Sequence, residues 1–384
     1  MEWYQISNAD QLDTPALVVY PDRVKENIRL AVKMVGDAAF LRPHVKTHKS
    51  PEITRLMLEA GIRSFKCATI AEAEMLAMEG APDVLLAYQP IGPKAVRFAA
   101  LIRKYPGTKF ACLIDNLAAA AAMSEVFAAA GLSVPVWIDL NVGMDRTGIV
   151  PGPEALQLYK DALKLKGIVP VGLHAYDGHI RDSDLVERTR NCDAGFAKVV
   201  ALRDAIEAWS DFGGEGDGVS GGSRGAGFVL PIIAGGSPTF PIHSRRAGIQ
   251  CSPGTFVYWD KGYGDSFKEQ PFSAAALVVT RVISLRGDTR LCLDLGHKSI
   301  APENELKNRV FFLNGPQLIP VGQSEEHLVV EAGADHGYQI GDIFYGVPIH
   351  VCPTVAQYER AFSIENHLVT GFFKNTARDR FLTV

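Results

Sequence analysis

Between residues 38 and 251, short apolar runs rich in β-branched residues alternate with longer amphipathic stretches. This alternation is typical of parallel strands joined by crossover helices. Eight runs predict strands: Ala38–Val45, Ser64–Ala68, Val84–Tyr88, Phe110–Ile114, Val134–Leu140, Val169–Tyr176, Leu230–Ala234 and Gly248–Cys251. Helices are predicted between them, at stretches such as Ser50–Ala60, Ile70–Glu79, Leu117–Ala130 and Pro153–Leu165. Eight such units favour a closed (β/α)8 TIM-type barrel. The alternative, a doubly wound open sheet, would normally show a Gly-rich phosphate turn after its first strand, and the sequence has none there.

The pattern changes after residue 256 to closely spaced β-like runs punctuated by Gly, Pro and Asp. We therefore predict an α/β barrel domain over residues 1–255 and a C-terminal antiparallel β domain over residues 256–384. The sequence allows the N-terminal strand to belong to either the barrel domain or the β domain. A Gly- and Ser-rich stretch at 211–227 predicts an insertion before the seventh barrel strand.

Composition excludes several classes of protein. Hydrophobic residues make up 47% and charged residues 21% of the chain, as in globular proteins with a large core. The 39 basic and 43 acidic residues give a net charge of -4, which argues against binding to nucleic acid or to an anionic membrane surface. No leader sequence or membrane-spanning run is evident, and the six scattered cysteines form no disulfide pattern, so we expect a cytoplasmic protein.

The first predicted strand ends in a group of polar residues, Arg42-Pro43-His44-Val45-Lys46-Thr47-His48-Lys49. Active sites of barrel enzymes lie at the C-terminal ends of the strands. A lysine such as Lys46 that enters this mouth loses solvation and becomes able to form a Schiff base. By itself, the segment is better explained as a solvated strand end whose basic residues stay in water.

Four segments carry a family resemblance: Asp13–Val19, Arg42–His48, Asn141–Gly148 and Ser252–Tyr258. Together they resemble the barrel domain of alanine racemase and its relatives, the fold-type III pyridoxal-phosphate enzymes. The lysine segment is similar to that of the branch containing D-serine dehydratase and D-threonine aldolase. The resemblance implies that Lys46 holds pyridoxal 5'-phosphate as a Schiff base, that Arg146 contacts the cofactor and that Tyr258 lies near its phosphate.

Two further segments follow predicted barrel strands. Gly235, Gly236 and Ser237 come after the seventh strand, where barrels often bind phosphate, and bare amides plus a hydroxyl suit a dianion, although such a turn is also common without a ligand. Tyr176 ends the sixth strand and is placed to pack against a flat cofactor ring. His179 lies just beyond it. A loop histidine is usually a surface residue, but the resemblance to D-threonine aldolase implies a general base.

His350 and Cys352 follow an apolar run in the predicted β domain. On a strand, residues two apart share a face, so these two would offer a nitrogen and a sulfur to one metal ion. The alternative is a core cysteine beside a solvated histidine. The pair resembles the metal site of the D-serine dehydratase branch. Nitrogen and sulfur favour zinc, while the aldolase resemblance also allows manganese, magnesium or cobalt. Residues 324–327 resemble a segment of that branch to which we assign no role.

The resemblance implies a lyase acting on D-amino acids. We expect a D-threonine aldolase, in which His179 takes the hydroxyl proton of a D-β-hydroxy amino acid and the Cα–Cβ bond breaks to give glycine and an aldehyde. The alternative is a dehydratase acting on D-serine or D-threo-3-hydroxyaspartate, in which Lys46 removes the α-proton and an oxo acid and ammonia result. Alanine racemase activity would need a catalytic tyrosine motif that we do not find, and small non-enzymatic pyridoxal-phosphate-binding proteins lack a second domain. The relatives imply a homodimer.

Overall fold

The computed structural model describes residues 1–211 and 229–384. The predicted insertion at 211–227 lies outside the described residues, apart from the helix-ending Asp211. The chain forms two compact units. The barrel unit comprises Val32–Val45, Leu58–Gly254 and Asp379–Val384, and the β unit comprises Met1–Ala31, Lys46–Met57 and Thr255–Arg378. This grouping is interleaved along the chain, unlike the predicted division at residue 255.

The strands and helices are numbered in chain order. The strands are β1 (Ala16–Val19), β2 (Ser64–Cys67), β3 (Asp83–Leu86), β4 (Lys109–Ile114), β5 (Val134–Leu140), β6 (Ile168–Ala175), β7 (Ile232–Ala234), β8 (Ile249–Cys251), β9 (Ala276–Arg286), β10 (Arg290–Leu293), β11 (Val310–Phe312), β12 (Ile319–Gln323), β13 (Leu328–Glu331), β14 (Ile343–Pro348), β15 (Arg360–Glu365) and β16 (Leu368–Lys374). The helices are α1 (Pro21–Val35), α2 (Pro51–Glu59), α3 (Ile70–Met78), α4 (Pro93–Lys104), α5 (Leu117–Ala129), α6 (Pro153–Ala162), α7 (Leu185–Asp211), α8 (Phe240–His243), α9 (Lys261–Ser266) and α10 (Val351–Val355).

Local sequence explains where several barrel helices begin. The side chains of Thr69 and Asn116 accept hydrogen bonds from backbone N–H groups in the first turns of α3 and α5. Helices α4 and α6 begin with Pro93 and Pro153, whose missing N–H groups would have no partner in a first helical turn. No helix among the described residues combines the length and apolarity needed to span a bilayer.

Strands β2 to β8 form one parallel sheet in chain order. An irregular segment occupies the eighth position, since Leu41 pairs with Cys251 of β8 and His44 pairs with Lys66 of β2. The TIM-type barrel is thereby confirmed. The prediction of a regular strand over Ala38–Val45 is wrong, because Ala38–Phe40 form a 3₁₀ helix and Pro43 has no N–H to donate. Pro43 instead accepts a hydrogen bond from the Lys66 amide at 2.8 Å.

The barrel interior has an apolar and a polar layer. Leu85, Leu113, Trp137 and Ile233 form one buried cluster. The charged or polar side chains of Lys66, Asp139 and His174 are also buried. Asp139 comes two residues after Trp137 along β5, so the polar layer lies nearer the C-terminal ends of the strands. The active-site mouth of a barrel lies at this end.

The β unit contains one mixed sheet. Its main strand order is β12-β13-β10-β9-β1-β15-β16, and β14 pairs with both β9 and β11. The pairing of β1 with β15 is parallel, whereas the other pairings are antiparallel. Two apolar clusters form its core, with members such as Val278, Leu291, Phe312 and Phe344 in one and Val18, Leu277 and Tyr345 in the other. The predicted second β domain is therefore present, with the N-terminal strand inside its sheet.

Candidate active site

The predicted cofactor lysine lies in the β unit, next to the residues predicted to bind metal. Lys46 is half-buried, and the following residue, Thr47, is buried. The Thr47 hydroxyl lies 3.2 Å from the Cys352 sulfur, and the Thr255 hydroxyl lies 3.8 Å from the same atom. The positive charge of Lys46 lowers the pKa of the Cys352 thiol. The structure thus brings the lysine segment and the predicted metal pair together.

His350 and Cys352 do not lie on a strand. Strand β14 ends at Pro348, His350 is the N-cap residue of α10, and Cys352 lies in the first turn of that helix. The spacing argument based on a strand is therefore wrong, because the helix begins immediately after the strand. The two side chains nevertheless lie close enough for each to shift the pKa of the other. His350 Nδ1 also lies 2.5 Å from Glu303 Oε1.

The pKa shifts of this pair favour a thiolate and a protonated imidazole. Burial alone would raise the pKa of the Cys352 thiol, but the neighbouring His350 and the charge of Lys46 lower it below its ordinary value. Burial alone would lower the pKa of His350, but Cys352 and Glu303 raise it to about 9. Zinc prefers thiolate sulfur and neutral imidazole nitrogen, so a zinc ion bound here would displace a proton from His350. Glu303 is placed to orient the imidazole, as carboxylates commonly do for metal-binding histidines.

Lys66, Asp139 and His174 form a buried chain of polar contacts in the barrel unit. Lys66 Nζ lies 2.6 Å from Ser252 Oγ and 3.4 Å from His174 Nε2, and His174 Nδ1 lies 2.8 Å from Asp139 Oδ1. Burial and the charge of Lys66 lower the pKa of His174, which favours the neutral imidazole. No sequence motif singled out these residues. The available signal was a charged residue within an apolar strand, as at Lys66 in β2 and Asp139 in β5.

Tyr176 lies between two cations and a glycine turn. The Arg146 guanidinium carbon is 5.2 Å, and Lys66 Nζ is 5.6 Å, from the centre of the Tyr176 ring. A Cβ placed on Gly236 would come within 2.9 Å of the ring. The structure therefore brings together Arg146, Tyr176 and the Gly235–Ser237 turn, three of the predicted features. A phenol ring between cations has the electrostatics expected beside an anionic ligand.

The turn after β7 is held by hydrogen bonds within the barrel unit. Gly235 has a φ of 80°, a conformation that favours glycine. The Ser237 hydroxyl accepts a hydrogen bond of 3.2 Å from the Gly254 amide. Ser252 Oγ donates to the Gly235 carbonyl at 3.0 Å. The Gly235 amide donates to the Ala175 carbonyl at 2.9 Å and the Gly236 amide donates to the Thr239 hydroxyl at 3.3 Å. Phosphate binding by this turn stays a prediction from its position after the seventh strand.

His179 is exposed at the loop that follows β6. A Cβ placed on Gly143 would lie 2.7 Å from His179 Nε2, so the imidazole packs against the segment that carries Arg146. The preceding residues Asp177 and Gly178 are buried. The structure thus places His179 and Arg146 on neighbouring loops, where both are accessible to a ligand.

Tyr258 is fully buried in the β unit. Its hydroxyl has no hydrogen-bond partner among the described residues. Burial and the negative charge of Glu52 raise its pKa above the ordinary value. A buried phenol without a partner is costly unless a ligand completes its hydrogen bonding. Its contact with the cofactor phosphate stays a prediction.

A cluster that no sequence motif predicted lies in the barrel unit. Asp177, Cys192 and His243 are buried, and their ligand-type atoms lie within 4.8 Å of one another. Burial and the charge of Asp177 raise the pKa of the Cys192 thiol to about 12, and Arg246 places a guanidinium nitrogen 2.6 Å from His243 Nδ1. The adjoining cavity holds about 10 Å³ of free space. A neutral thiol beside a cation fits a metal ion poorly, so we interpret the cluster as a hydrogen-bonded network.

Two sequence families match the chain. The family described as "Alanine racemase, N-terminal domain" matches residues 19–211. The family described as "Putative serine dehydratase domain" matches residues 275–364. The first match covers the barrel strands up to β6, and the second covers most of the β unit's sheet.

Individual proteins are similar over nearly their whole length. The chain is 26% identical over 376 residues to D-threonine aldolase of Arthrobacter sp., covering 96% of this chain and 93% of the relative. It is also 26% identical over 377 residues to D-threo-3-hydroxyaspartate dehydratase of Delftia sp. (strain HT23), covering 90% and 93%. The crystal structure of D-threonine aldolase from Filomicrobium marinum superposes with a TM-score of 0.84 at 24% identity, covering 98% of each chain. This last likeness shows a shared fold.

Proposed function

Because the chain belongs to the family of the alanine racemase N-terminal domain, we propose that it is a pyridoxal-phosphate- and divalent-metal-dependent D-threonine aldolase. It would cleave D-β-hydroxy amino acids to glycine and an aldehyde. The observation that carries the proposal is the contact of Thr47 with Cys352 at 3.2 Å, since it joins the lysine segment to the metal pair. The similarity to D-threonine aldolase over 96% of the chain supports the same reaction.

Several of the predicted residues would hold the cofactor. Pyridoxal phosphate supplies an aldehyde that bonds to amines and a ring that accepts the electron pair of a breaking bond. Lys46 would provide the amine. The Gly235–Ser237 turn would bind the phosphate, and Arg146 and Tyr176 would flank the ring with a cation and a flat surface. Tyr258 would add a phenolic hydroxyl.

His350 and Cys352 would hold the metal ion, with Glu303 orienting the imidazole. A bound divalent ion supplies a Lewis acid for the substrate hydroxyl. The lowered pKa of Cys352 supports a thiolate ligand and favours zinc over manganese, magnesium or cobalt. Metal analysis of the purified protein by mass spectrometry tests this choice.

In the proposed reaction, His179 takes the proton of the substrate β-hydroxyl at an imidazole nitrogen. Its exposure and its packing against Gly143 leave the ring accessible at the loop that follows β6. The Arg146 guanidinium on the neighbouring loop is suited to hold an anionic group of the ligand. A lyase of this kind needs no redox partner, because the electrons of the broken C–C bond and the proton return to the products.

A dehydratase is the second candidate. Two observations favour it: the Cys352 ligand type and the similarity to D-threo-3-hydroxyaspartate dehydratase. In this reaction Lys46 would remove the α-proton and His179 would not be needed as the first base. The products would be an oxo acid and ammonia.

Product analysis separates the two reactions. The protein with pyridoxal phosphate and zinc or manganese is incubated with D-threonine, D-serine and D-threo-3-hydroxyaspartate, and with L-threonine as the stereochemical control. We expect acetaldehyde and glycine from D-threonine, and no product from L-threonine. Ammonia and 2-oxobutanoate in place of acetaldehyde would establish the dehydratase instead.

A matched pair of variants tests the lysine. Lys46→Ala should abolish the visible absorbance of the bound cofactor and the activity, whereas Lys49→Ala, three residues along the same segment, should retain both. A Lys46→Ala protein that still shows the band of a covalently bound cofactor would contradict the assignment of Lys46.

We also propose a cytoplasmic homodimer, as the relatives imply. Light scattering coupled to gel filtration measures the mass in solution. A mass near the 41.7 kDa of one chain would contradict the dimer.

A further inference from the structure

Asp177 is a buried carboxylate between two predicted site residues, Tyr176 and His179. Its Oδ1 accepts a hydrogen bond of 2.7 Å from the Thr239 hydroxyl. Its Oδ2 lies 2.8 Å from His243 Nε2. Burial alone would raise the pKa of Asp177, but the bonds with His243 and Thr239 lower it below the ordinary value, so the carboxylate is ionised.

The proton positions in this network follow from the donors. Arg246 Nη1 lies 2.6 Å from His243 Nδ1, and a guanidinium can only donate. His243 Nδ1 must therefore accept, and Nε2 must carry the proton that is donated to Asp177. Arg246 is held in turn by an ion pair with Asp193 and by the ring of Phe196 at 4.0 Å. The result is a directional chain from Arg246 through His243 to Asp177.

The same network also contacts the turn at residues 235–237. The Thr239 hydroxyl, which donates to Asp177, also accepts a bond of 3.3 Å from the Gly236 amide. A Cβ placed on Gly235 would meet His243 Cδ2 at 2.7 Å and Thr239 Oγ1 at 3.0 Å, so both side chains lie directly against the turn. One carboxylate thus fixes two segments: the loop carrying Tyr176 and His179, and the turn at 235–237.

We propose that Asp177 is a positioning residue that aligns the His179 loop with the phosphate-binding turn. This inference rests on the proposed function, since it assigns Asp177 a role in cofactor affinity and in turnover through residues that touch the cofactor or substrate. Asp177 acts through Thr239 and His243 and takes no proton from the substrate. Its loss should therefore weaken cofactor binding and proton transfer together.

Asp177→Asn is the central test. The new amide can still accept from Thr239, but its NH₂ group then faces the Nε2–H of His243, and two donors cannot bond. We expect pyridoxal phosphate, titrated by its visible absorbance, to bind at least about tenfold more weakly, the loss typical of a hydrogen bond to a charged group. The kcat for D-threonine should fall at saturating cofactor, while KM for D-threonine changes less.

A second substitution distinguishes positioning from general destabilisation. When Asp177→Asn is combined with Arg246→Met, His243 is free to move its proton to Nδ1, and its Nε2 can then accept from the introduced side-chain amide. We expect this double variant to recover part of the cofactor affinity that the single variant loses, a non-additive result measured by a double-mutant cycle. Nitrogen-15 NMR of the cofactor-free proteins should show Nε2–H in the wild type and Nδ1–H in the double variant.

Thr239→Val provides a milder change if Asp177→Asn does not fold, and it should also weaken cofactor binding. Glu74→Gln is the matched control, because Glu74 is a buried carboxylate of α3 that accepts from the Thr383 amide at 3.1 Å and from the Tyr105 hydroxyl at 3.2 Å. It should lower stability without altering cofactor affinity.

The outcomes separate this inference from the proposed function. If the wild type binds pyridoxal phosphate while Asp177→Asn and Thr239→Val bind it equally well, the positioning role is refuted and the proposed function stands. If the wild type itself binds no pyridoxal phosphate, both are refuted.

Discussion

The His350 imidazole and the Cys352 thiol favour each other's charged forms. Each side chain is paired further, His350 with Glu303 and Cys352 with the Thr47 hydroxyl. Bonds of this kind fix the orientation of the donor atoms before a ligand arrives. A metal ion that binds here would displace a proton from His350 and would then meet a nitrogen and a sulfur already oriented by their neighbours.

Cys352→Ser should weaken zinc retention by at least about tenfold, because a serine hydroxyl stays protonated and is a poor zinc ligand. Cys292→Ser is the matched control, since Cys292 is a buried cysteine of β10 in the same unit. Zinc content after dialysis against a chelator is the measurement. Equal retention by the two variants would exclude Cys352 as a ligand.

His48 predicts a pH-dependent stability. It is fully buried, and burial, with the charge of Lys49 as a further contribution, lowers its pKa to about 3. Below pH 6.5 the unfolded chain binds a proton at this position that the folded chain does not, so the free energy of unfolding falls as the pH falls from about 6.5 toward 3. The slope is about 1.4 kcal/mol per pH unit for one proton.

His48→Asn should remove this contribution, because an Asn side chain does not titrate. Its carbonyl oxygen can still accept the hydrogen bond that the Ser50 amide makes to His48 Nδ1. We expect the variant to lose less stability than the wild type between pH 6 and pH 4. Urea unfolding at a series of pH values in the cofactor-free protein measures both slopes. Parallel slopes would contradict the lowered pKa.

At the scale of elements, the turn after β7 is held by backbone geometry and by the side chains behind it. Gly235 has a φ of 80° and lies against His243. Gly248, just before β8, has a nearly equal φ of 74° but open space where a Cβ would lie. A comparison of substitutions at the two glycines therefore distinguishes the cost of conformational strain from the cost of steric contact.

Gly248→Ala should cost about 1 kcal/mol of stability, the strain of an L-residue in the left-handed region. Gly235→Ala should cost about 2 to 4 kcal/mol, because the clash with His243 adds to the strain, and it should also weaken pyridoxal phosphate binding. Urea unfolding and absorbance titration measure these effects. Equal costs at the two positions would show that the His243 contact is not rigid.

The sequence predicts the elements better than it predicts their contacts. Strand β5 coincides with the predicted run, and the predicted barrel helices agree to within three residues at either end. Helix α10 was missed, since a helix of five residues has no periodicity to detect. The network of Asp177 and His243 was missed because 66 residues separate the partners along the chain. Asp139, a charge inside an apolar run, is the kind of signal by which the buried polar layer could have been predicted.

At the scale of the whole molecule, the comparisons confirm the family and the fold that the motifs implied, and the relatives that match nearly the whole chain are named as an aldolase and a dehydratase. The choice between aldolase and dehydratase stays a prediction, because relatives of both kinds are 26% identical. The pairing of β1 with β9 and β15 joins segments some 260 and 344 residues apart. No local pattern encodes such contacts.

Cofactor binding should stabilise the folded chain as a whole. A ligand at one hundred times its dissociation constant adds about 2.7 kcal/mol to the free energy of unfolding when it binds only the folded state. We expect pyridoxal phosphate to raise the unfolding midpoint of the cofactor-free protein, and pyridoxine phosphate, which lacks the aldehyde, to raise it less. No shift at saturating pyridoxal phosphate would argue against a folded-state site.

The barrel closes through an irregular joint. Between the 3₁₀ helix and Val45, four backbone hydrogen bonds link this segment to β2 and to the end of β8, and Lys46 is the next residue. A barrel that is closed at one position by so short a segment is expected to open locally at that position first. Amide hydrogen exchange should therefore be fastest at residues 42–45 among the barrel pairings, and a cofactor bonded to Lys46 should slow it. Exchange at residues 42–45 that is unchanged by pyridoxal phosphate would show that local opening of this segment is not coupled to cofactor binding.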